Sequence, residues 1–315
     1  MSPKKLVSLI TPCFNEEDLL HTFYEEVKRI RYTLEERYRF EHIFCDNGST
    51  DRSFDILANI ARTDGDVKVI RNTRNFGILA NTYNGIMSSG GDAVLTFLPV
   101  DMQDPPGMII DFLRKWEEGY MIVYGLRAER DENWMLKTAR FQYYKLLSSI
   151  SNVDYPANAG DFQLVDRVVI DEIKKTYIAD PFLRMNTFYS GYSSYGIEYR
   201  WVKRLKGESR NSLGNMVEQA LEGLTSFSLF PLRIASLVGI VASAASLMLA
   251  LLTLSGVVLG VLPSGQQGIL TILVSIFLLG GLNLFALGVM GEYLARVLNQ
   301  VRARPHVVER ERLNF

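Results

Sequence analysis

Short apolar runs alternate with amphipathic stretches through the first 125 residues. Residues 6–11, 42–46, 67–72, 93–98 and 121–125 are apolar runs of strand length, whereas residues 18–36 and 53–61 repeat their apolar positions at helical spacing. Strands separated by helices in this order predict βαβ units, and therefore an α/β domain with a mostly parallel sheet and helices on both faces. Further on, residues 215–227 set Met216, Ala220, Leu224 and Phe227, with Val217 and Leu221, on one helical face. That face predicts an amphipathic helix lying in a membrane interface, with packing against the soluble domain as the alternative.

The pattern changes at Arg233. Residues 234–291 contain no Asp, Glu, Lys, Arg or His, and two apolar stretches, 234–262 and 269–290, flank a short Pro/Ser/Gly/Gln linker at 263–268. Each stretch exceeds the roughly 20 apolar residues that cross a bilayer, so the two predict a transmembrane hairpin. Arg233 precedes the first span, and Arg296, Arg302 and Arg304 follow the second, while the linker is uncharged. By the positive-inside rule both ends of the hairpin face the cytoplasm. Within the second span, Gly280-Gly281 predicts close helix packing and Asn283 an interhelical hydrogen bond. The expected organisation is a catalytic domain over 1–212, an interfacial helix over 213–230, spans within 231–292 and a cytoplasmic tail over 293–315.

Composition narrows this picture. An apolar content of 48% in 315 residues supports a sizeable core, and a formal net charge of -1 offers no general attraction for nucleic acid. Only Cys13 and Cys45 are present, which suits a reducing compartment and predicts two buried free thiols. Lys4 and Lys5 precede an apolar run too short for a signal peptide, so the chain is expected to start in the cytoplasm of a cell whose inner membrane holds the hairpin.

Polar clusters fall where the predicted strands end. Thr11-Pro12-Cys13-Phe14-Asn15-Glu16-Glu17 follows the first, Asp46-Asn47-Gly48-Ser49-Thr50-Asp51 the second, and Pro99-Val100-Asp101-Met102-Gln103-Asp104-Pro105-Pro106 the fourth. Singly, each reads as a helix cap or a turn. Together they occupy the edge at which open α/β sheets bind ligands.

Taken with Asn75-Phe76-Gly77 and Gly160-Asp161-Phe162-Gln163-Leu164, these motifs, in this order, resemble the inverting glycosyltransferases of family 2. The similarity is to the dolichol-phosphate-mannose-synthase-like branch, which glycosylates polyprenyl phosphates. It continues through Gly207-Glu208-Ser209-Arg210, residues 227–233 and Gly291-Glu292-Tyr293-Leu294, and so covers nearly the whole chain.

The resemblance implies a GT-A (Rossmann-like) nucleotide-binding domain with a C-terminal two-helix hairpin, and it implies roles residue by residue. Pro12, Asn15, Glu17, Asp46 and Asn47 would line the nucleotide pocket. Asp101 and Gln103 would hold Mg²⁺ or Mn²⁺, hard cations suited to oxygen ligands, against the donor diphosphate. Asp101 and Asp161 would be catalytic, and Arg127 and Arg210 would meet the acceptor phosphate. The implied partners are a nucleotide-sugar donor, a polyprenyl-phosphate acceptor and the membrane, with a homo-oligomer compatible with the small residues of the spans. None of His21, His42 and His306 lies in a motif. A phosphate monoester is already anionic near neutral pH, so little base assistance is required.

Three departures from the family pattern stand out. Pro99 occupies the first position of the usual Asp-x-Asp, Asn47 the second carboxylate of Asp-Asp-Gly-Ser, and Arg210-Asn211 the usual Lys-Tyr. Two alternatives therefore accompany the leading reading: a catalytically degenerate nucleotide-binding scaffold, and a transferase with a saccharide acceptor.

Overall fold

The computed structural model describes residues 3–129, 156, 159–175, 183–200, 229–259, 268–302 and 305–315. They fall into two compact units, an α/β unit that includes the C-terminal residues and a helical pair.

The α/β unit follows the predicted alternation. In chain order it contains β1 (Lys5–Cys13), α1 (Leu20–Leu34), β2 (Tyr38–Asp46), α2 (Ser53–Thr63), β3 (Val67–Asn72), α3 (Ile78–Ser88), β4 (Ala93–Leu95) and α4 (Met108–Glu117). There follow β5 (Ile122–Glu129), β6 (Ala159–Asp166), α5 (Arg167–Lys174), α6 (Leu183–Tyr189) and β7 (Ser194–Arg200), and the unit closes with β8 (Glu309–Leu313). The eight strands form one sheet in the order β7-β5-β6-β4-β1-β2-β3-β8.

Neighbours β4-β1-β2-β3 are parallel, and seven successive residues of β1 are buried. A strand covered on both faces has to be apolar throughout, which is why β1 to β4 read as continuous apolar runs. Three antiparallel joints, β6 with β4, β6 with β5 and β8 with β3, lie outside the predicted βαβ units. Because β6 reverses between β4 and β5, the ends of β4, β5 and β7 and the start of β6 meet at one edge. The fourth predicted strand is shorter than expected, ending at Leu95, although Thr96 N–H still donates to the Gln163 carbonyl at 2.8 Å and Leu98 N–H to that of Ile10 at 2.8 Å.

The helices are held by their apolar faces. α1 buries Leu20, Phe23, Val27, Ile30 and Leu34 at spacings of three and four, and α4 buries Met108, Ile109, Phe112, Leu113 and Trp116. Phe112 packs on Phe162 of β6 with ring centroids 4.8 Å apart, both rings fully buried. Truncating either ring to alanine would cost about 3–5 kcal/mol.

The helical pair comprises α7 (Phe230–Val258) and α8 (Gly268–Arg302), 29 and 35 residues long. Both are long and apolar enough to cross a membrane. Their large side chains point outward: Leu237 is 60% exposed, Ile240 66% and Leu284 73%. Apolar side chains exposed in this number suit a surface that meets lipid. α8 runs twelve residues beyond the predicted span, from 290 to 302. Asn283 is exposed, and a Cβ added at Gly280 or Gly281 would meet no described atom within 4 Å. The expected interfacial helix over 213–230 lies outside the described residues up to 228.

Candidate active site

β1 and β2 end side by side, Cys13 level with Asp46, and the loops that leave them are laced together. Asn15 N–H donates to Ser49 Oγ at 3.0 Å, Glu16 N–H to Ser53 Oγ at 2.9 Å and Glu17 N–H to Asp51 Oδ2 at 3.2 Å. In the other direction Thr50 N–H donates to Asn15 Oδ1 at 2.8 Å and Arg52 N–H to Glu17 Oε2 at 3.0 Å. Each loop thus satisfies backbone donors in the run that leads into the other's helix. Asn15 sits at φ 56, a left-handed conformation that asparagine tolerates better than most residues. Asn15 and Glu17, both expected at the nucleotide, therefore also fix the shape of its loops, and Pro12 lies one residue before the end of β1.

Asp46 and Asn47 differ in kind. Asp46 is fully buried; its Oδ1 accepts from Ser49 N–H at 3.2 Å, whereas its Oδ2 has no hydrogen-bond partner among the described residues. The nearest cation, Arg71 Nε, stands 3.6 Å from that oxygen, with its guanidinium 4.0 Å above the Phe54 ring. Burial pushes the Asp46 carboxyl above its ordinary range despite the opposing bonds from Ser49 and the Arg71 charge. An orphaned, buried carboxylate oxygen fits a ligand that brings a donor, such as a base N–H or a ribose hydroxyl.

Asn47, by contrast, is a hub. Its Nδ2 donates to Asn75 Oδ1 at 2.9 Å and to the Gly77 carbonyl at 3.1 Å. Its Oδ1 accepts from Phe76 N–H at 3.0 Å and from Asn72 Nδ2 at 3.1 Å. Asn72 continues to Asn81 Oδ1 at 2.8 Å, and Asn81 Nδ2 to the Cys45 carbonyl at 2.7 Å. Both ends of the Asn47 amide are thus committed to the Asn75-Phe76-Gly77 loop and its neighbours. A carboxylate could not make the two donations.

The acidic loop leaves β4 through a tight turn, Met102 N–H donating to the Pro99 carbonyl at 3.2 Å with Met102 at φ 53. Gln103 N–H donates to Asp101 Oδ1 at 3.2 Å, which aims a nearly buried carboxylate. Asp104, one residue on, is 1% exposed and grips Arg127 of β5, whose Nη2 lies 3.2 and 3.0 Å from the two carboxylate oxygens. Arg127 Nε donates to the Tyr199 hydroxyl at 3.0 Å, and that hydroxyl in turn donates to Asp104.

Asp161 lies near the start of β6 at the same edge. Thr96 Oγ donates to its carbonyl at 2.9 Å and to that of Gln163 at 3.2 Å. Gln163, nearly fully buried, donates to the Gly160 carbonyl at 3.0 Å and accepts from Thr187 Oγ at 2.8 Å. The backbone under Asp161 is therefore clamped on both sides. Asp101, Gln103, Arg127 and Asp161 come to one sheet edge, as their motifs imply, whereas Arg210 lies outside the described residues. Asp104 and Asn75 stand in the quoted motifs without an assigned role, and Tyr199, Arg71, Thr96, Asn72 and Asn81 escape the motif reading. For Asp104 the signals are its place in the acidic strand-end motif and the Pro105-Pro106 that follows and stiffens the chain there.

His42 is not a base. It is fully buried against Phe44, its Nε2 is 2.8 Å from Thr11 Oγ, and desolvation keeps its pKa well below the ordinary value. Cys13 and Cys45 are free and buried, and burial raises both thiols. Among the described residues no cluster of three or more His, Cys, Asp or Glu could hold a metal by itself. Asp101 and Gln103 nevertheless supply hard oxygens of the kind Mg²⁺ or Mn²⁺ takes when substrate phosphates complete its shell.

Paired loops at the ends of β1 and β2, an acidic loop after β4, and a cationic and a carboxylate residue at the same edge fit a GT-A-type glycosyltransferase domain. The chain belongs to glycosyltransferase family 2, whose model, "Glycosyl transferase family 2", matches residues 8–174. It is 34% identical over 305 residues to a prophage bactoprenol glucosyl transferase homolog of Escherichia coli (strain K12), covering 96% of this chain and 97% of that one. A bactoprenol glucosyl transferase of Shigella phage SfII matches at 34% over 305 residues, 96% of each chain. An uncharacterized glycosyltransferase of Bacillus subtilis (strain 168) matches at 34% over 299 residues, 95% of this chain and 91% of its own.

Proposed function

We propose that this protein transfers a sugar from a nucleotide-sugar donor to a polyprenyl phosphate at the cytoplasmic face of a bacterial inner membrane. The observation that carries this reading is the extent of the similarity to bactoprenol glucosyl transferases, which runs through the strand-end motifs and on through both apolar helices. A lipid-borne phosphate sits at a membrane surface, and an anchored enzyme meets it at high effective concentration. Connectivity supports the topology: the α/β unit precedes α7 and takes up the chain again after α8 as β8, in keeping with a hairpin whose two ends lie on one side.

In this reading Asp46 Oδ2 accepts from the nucleoside, within loops shaped by Pro12, Asn15, Glu17 and Asn47. Asp101 and Gln103 would hold a divalent cation, which when bound offsets the charge of the departing nucleoside diphosphate. Arg127 and Arg210 receive the acceptor phosphate, and Asp161 orients it. A phosphate oxygen forms the bond to the anomeric carbon as the bond to the diphosphate breaks, giving inversion in one displacement. The acceptor's second pKa, near 6, leaves it largely dianionic at neutral pH, so Asp161 has little proton to remove. The asparagine network supports catalysis over a degenerate scaffold, because Asn47 has a structural reason to replace a carboxylate.

The test is to incubate membranes containing the protein with polyprenyl phosphate and a panel of labelled nucleotide sugars. Formation of a lipid-linked sugar with one donor is expected. Its absence with every donor, beside an active control enzyme, would sink the reading.

A further inference from the structure

We infer that Asp104 and Tyr199 are positioning residues that lock the guanidinium of Arg127 and tie it mechanically to the loop carrying Asp101 and Gln103. This rests on the assignment of Arg127 to the acceptor phosphate. The three side chains close a triangle: Arg127 Nη2 to Asp104 at 3.0 and 3.2 Å, Arg127 Nε to the Tyr199 hydroxyl at 3.0 Å, and that hydroxyl to Asp104. β5 and β7 pair with Arg127 in register with Tyr199, so the backbone brings the two together before any side chain moves.

The surroundings leave this triangle little room. A Cβ at Gly125 would stand 2.6 Å from Tyr199 Cε1, so the tyrosine ring crosses β5 where only glycine lets it pass. On the other side an added Cβ at Gly160 would lie 3.6 Å from Arg127 Nε, so the guanidinium packs over backbone one residue before Asp161. Tyr199 also meets Phe162 edge-on at 6.1 Å. A long, many-rotamer side chain is thereby held in one pose, and a guanidinium ordered in advance binds a phosphate without losing that freedom on binding.

The triangle also reaches the acidic loop. Asp104 is three residues after Asp101, and the turn between them is tight, with Met102 at φ 53 and the Gln103 N–H bonded to Asp101. Arg127 is therefore joined to the Asp101 loop through a short segment that holds one tight turn.

The experiment measures binding and turnover separately for the wild type, Tyr199→Phe, Asp104→Asn and Arg127→Lys, all as full-length protein in detergent. Farnesyl phosphate affinity is read by calorimetry, donor affinity by nucleoside diphosphate binding, and KM for each substrate by product formation. Tyr199→Phe, which keeps the ring and its packing, is expected to weaken farnesyl phosphate about tenfold, the worth of one hydrogen bond to a charged group, and to leave nucleotide affinity within twofold. Asp104→Asn should weaken it at least as much, and combining Tyr199→Phe with Arg127→Lys should add little to Arg127→Lys alone. Equal losses for donor and acceptor, or an unchanged acceptor affinity in Tyr199→Phe, overturn the inference. A wild type that binds farnesyl phosphate with this variant pattern yet makes no lipid-linked sugar refutes the proposed transfer and upholds the positioning role. A wild type that binds none refutes both.

Discussion

Replacing Asn47 by aspartate changes one NH₂ to an oxygen and leaves the side-chain shape intact, so it isolates the hydrogen bonds that the amide donates. Those bonds run at 2.9 Å to Asn75 Oδ1 and 3.1 Å to the Gly77 carbonyl. Asn75 Oδ1 is already committed as an acceptor, since Gly77 N–H donates to it at 2.8 Å. Asn47 itself cannot turn over, because its other end accepts from Phe76 N–H. An aspartate here would set a carboxylate oxygen against two acceptors in a nearly buried site. Asn75 and Gly77 are exposed, so water can meet their oxygens, and the one buried aspartate oxygen left unsatisfied costs about 1–3 kcal/mol of a total on the order of 5–15. For a domain of this size that lowers Tm by about 2–12 °C. The sign with pH follows from ionisation: the native state would hold this carboxyl protonated more readily than the unfolded chain does. The variant should therefore lose more stability relative to wild type at pH 8 than at pH 5. Thermal unfolding of both proteins at the two pH values is the assay. A Tm within 2 °C of wild type at pH 8, with metal or nucleotide affinity improved, would refute the hub and make Asn47 a missing ligand instead.

Other outcomes follow from the same geometry. Asp46→Asn should raise Tm at pH 8, because the buried carboxylate costs stability as pH climbs through its raised value, and it should weaken nucleoside diphosphate binding about tenfold or more by calorimetry. In the wild type, nucleotide affinity should fall on acidification at a higher pH than an ordinary carboxyl would dictate. Asp101→Asn should cut turnover about a hundredfold and raise the metal concentration needed for half activity; undiminished, metal-dependent turnover would remove Asp101 from the site. Thr96→Val deletes the hydroxyl that clamps the carbonyls of Asp161 and Gln163, and should lower turnover severalfold with a stability loss of about 1–2 kcal/mol, read by kinetics and thermal melts.

The legible parts of the fold are those whose burial is uniform. β1 to β4 sit in the middle of the sheet and are apolar because both faces are covered, and α1 shows its buried stripe directly. β6 hides behind its own chemistry: Gly160, Asp161 and Gln163 look like a loop motif, yet Gln163 is buried because Gly160 and Thr187 satisfy its amide. β8, Glu-Arg-Glu-Arg-Leu, carries no apolar alternation because it is an edge strand, held by backbone pairing and by ion pairs such as Arg71 with Glu311 at 3.2 Å. The same division holds at the site. Asp46 and Asp101 announce themselves at strand ends. Tyr199 does not, since a tyrosine in a strand reads as packing until the register sets it beside Arg127.

The C-terminal strand also sets an order of events during synthesis. Arg71 and Glu311 are 240 residues apart, so at ~5–20 residues per second β3 waits roughly 12–48 s with its edge bare before its partner leaves the ribosome. Both apolar helices emerge in that interval. The last joint of the sheet, and the Glu311 contact on the arginine that faces Asp46, thus form only after both apolar helices have been made. A chain that stalls before the apolar helices keeps an uncovered strand edge, the kind of surface that quality control and aggregation both recognise.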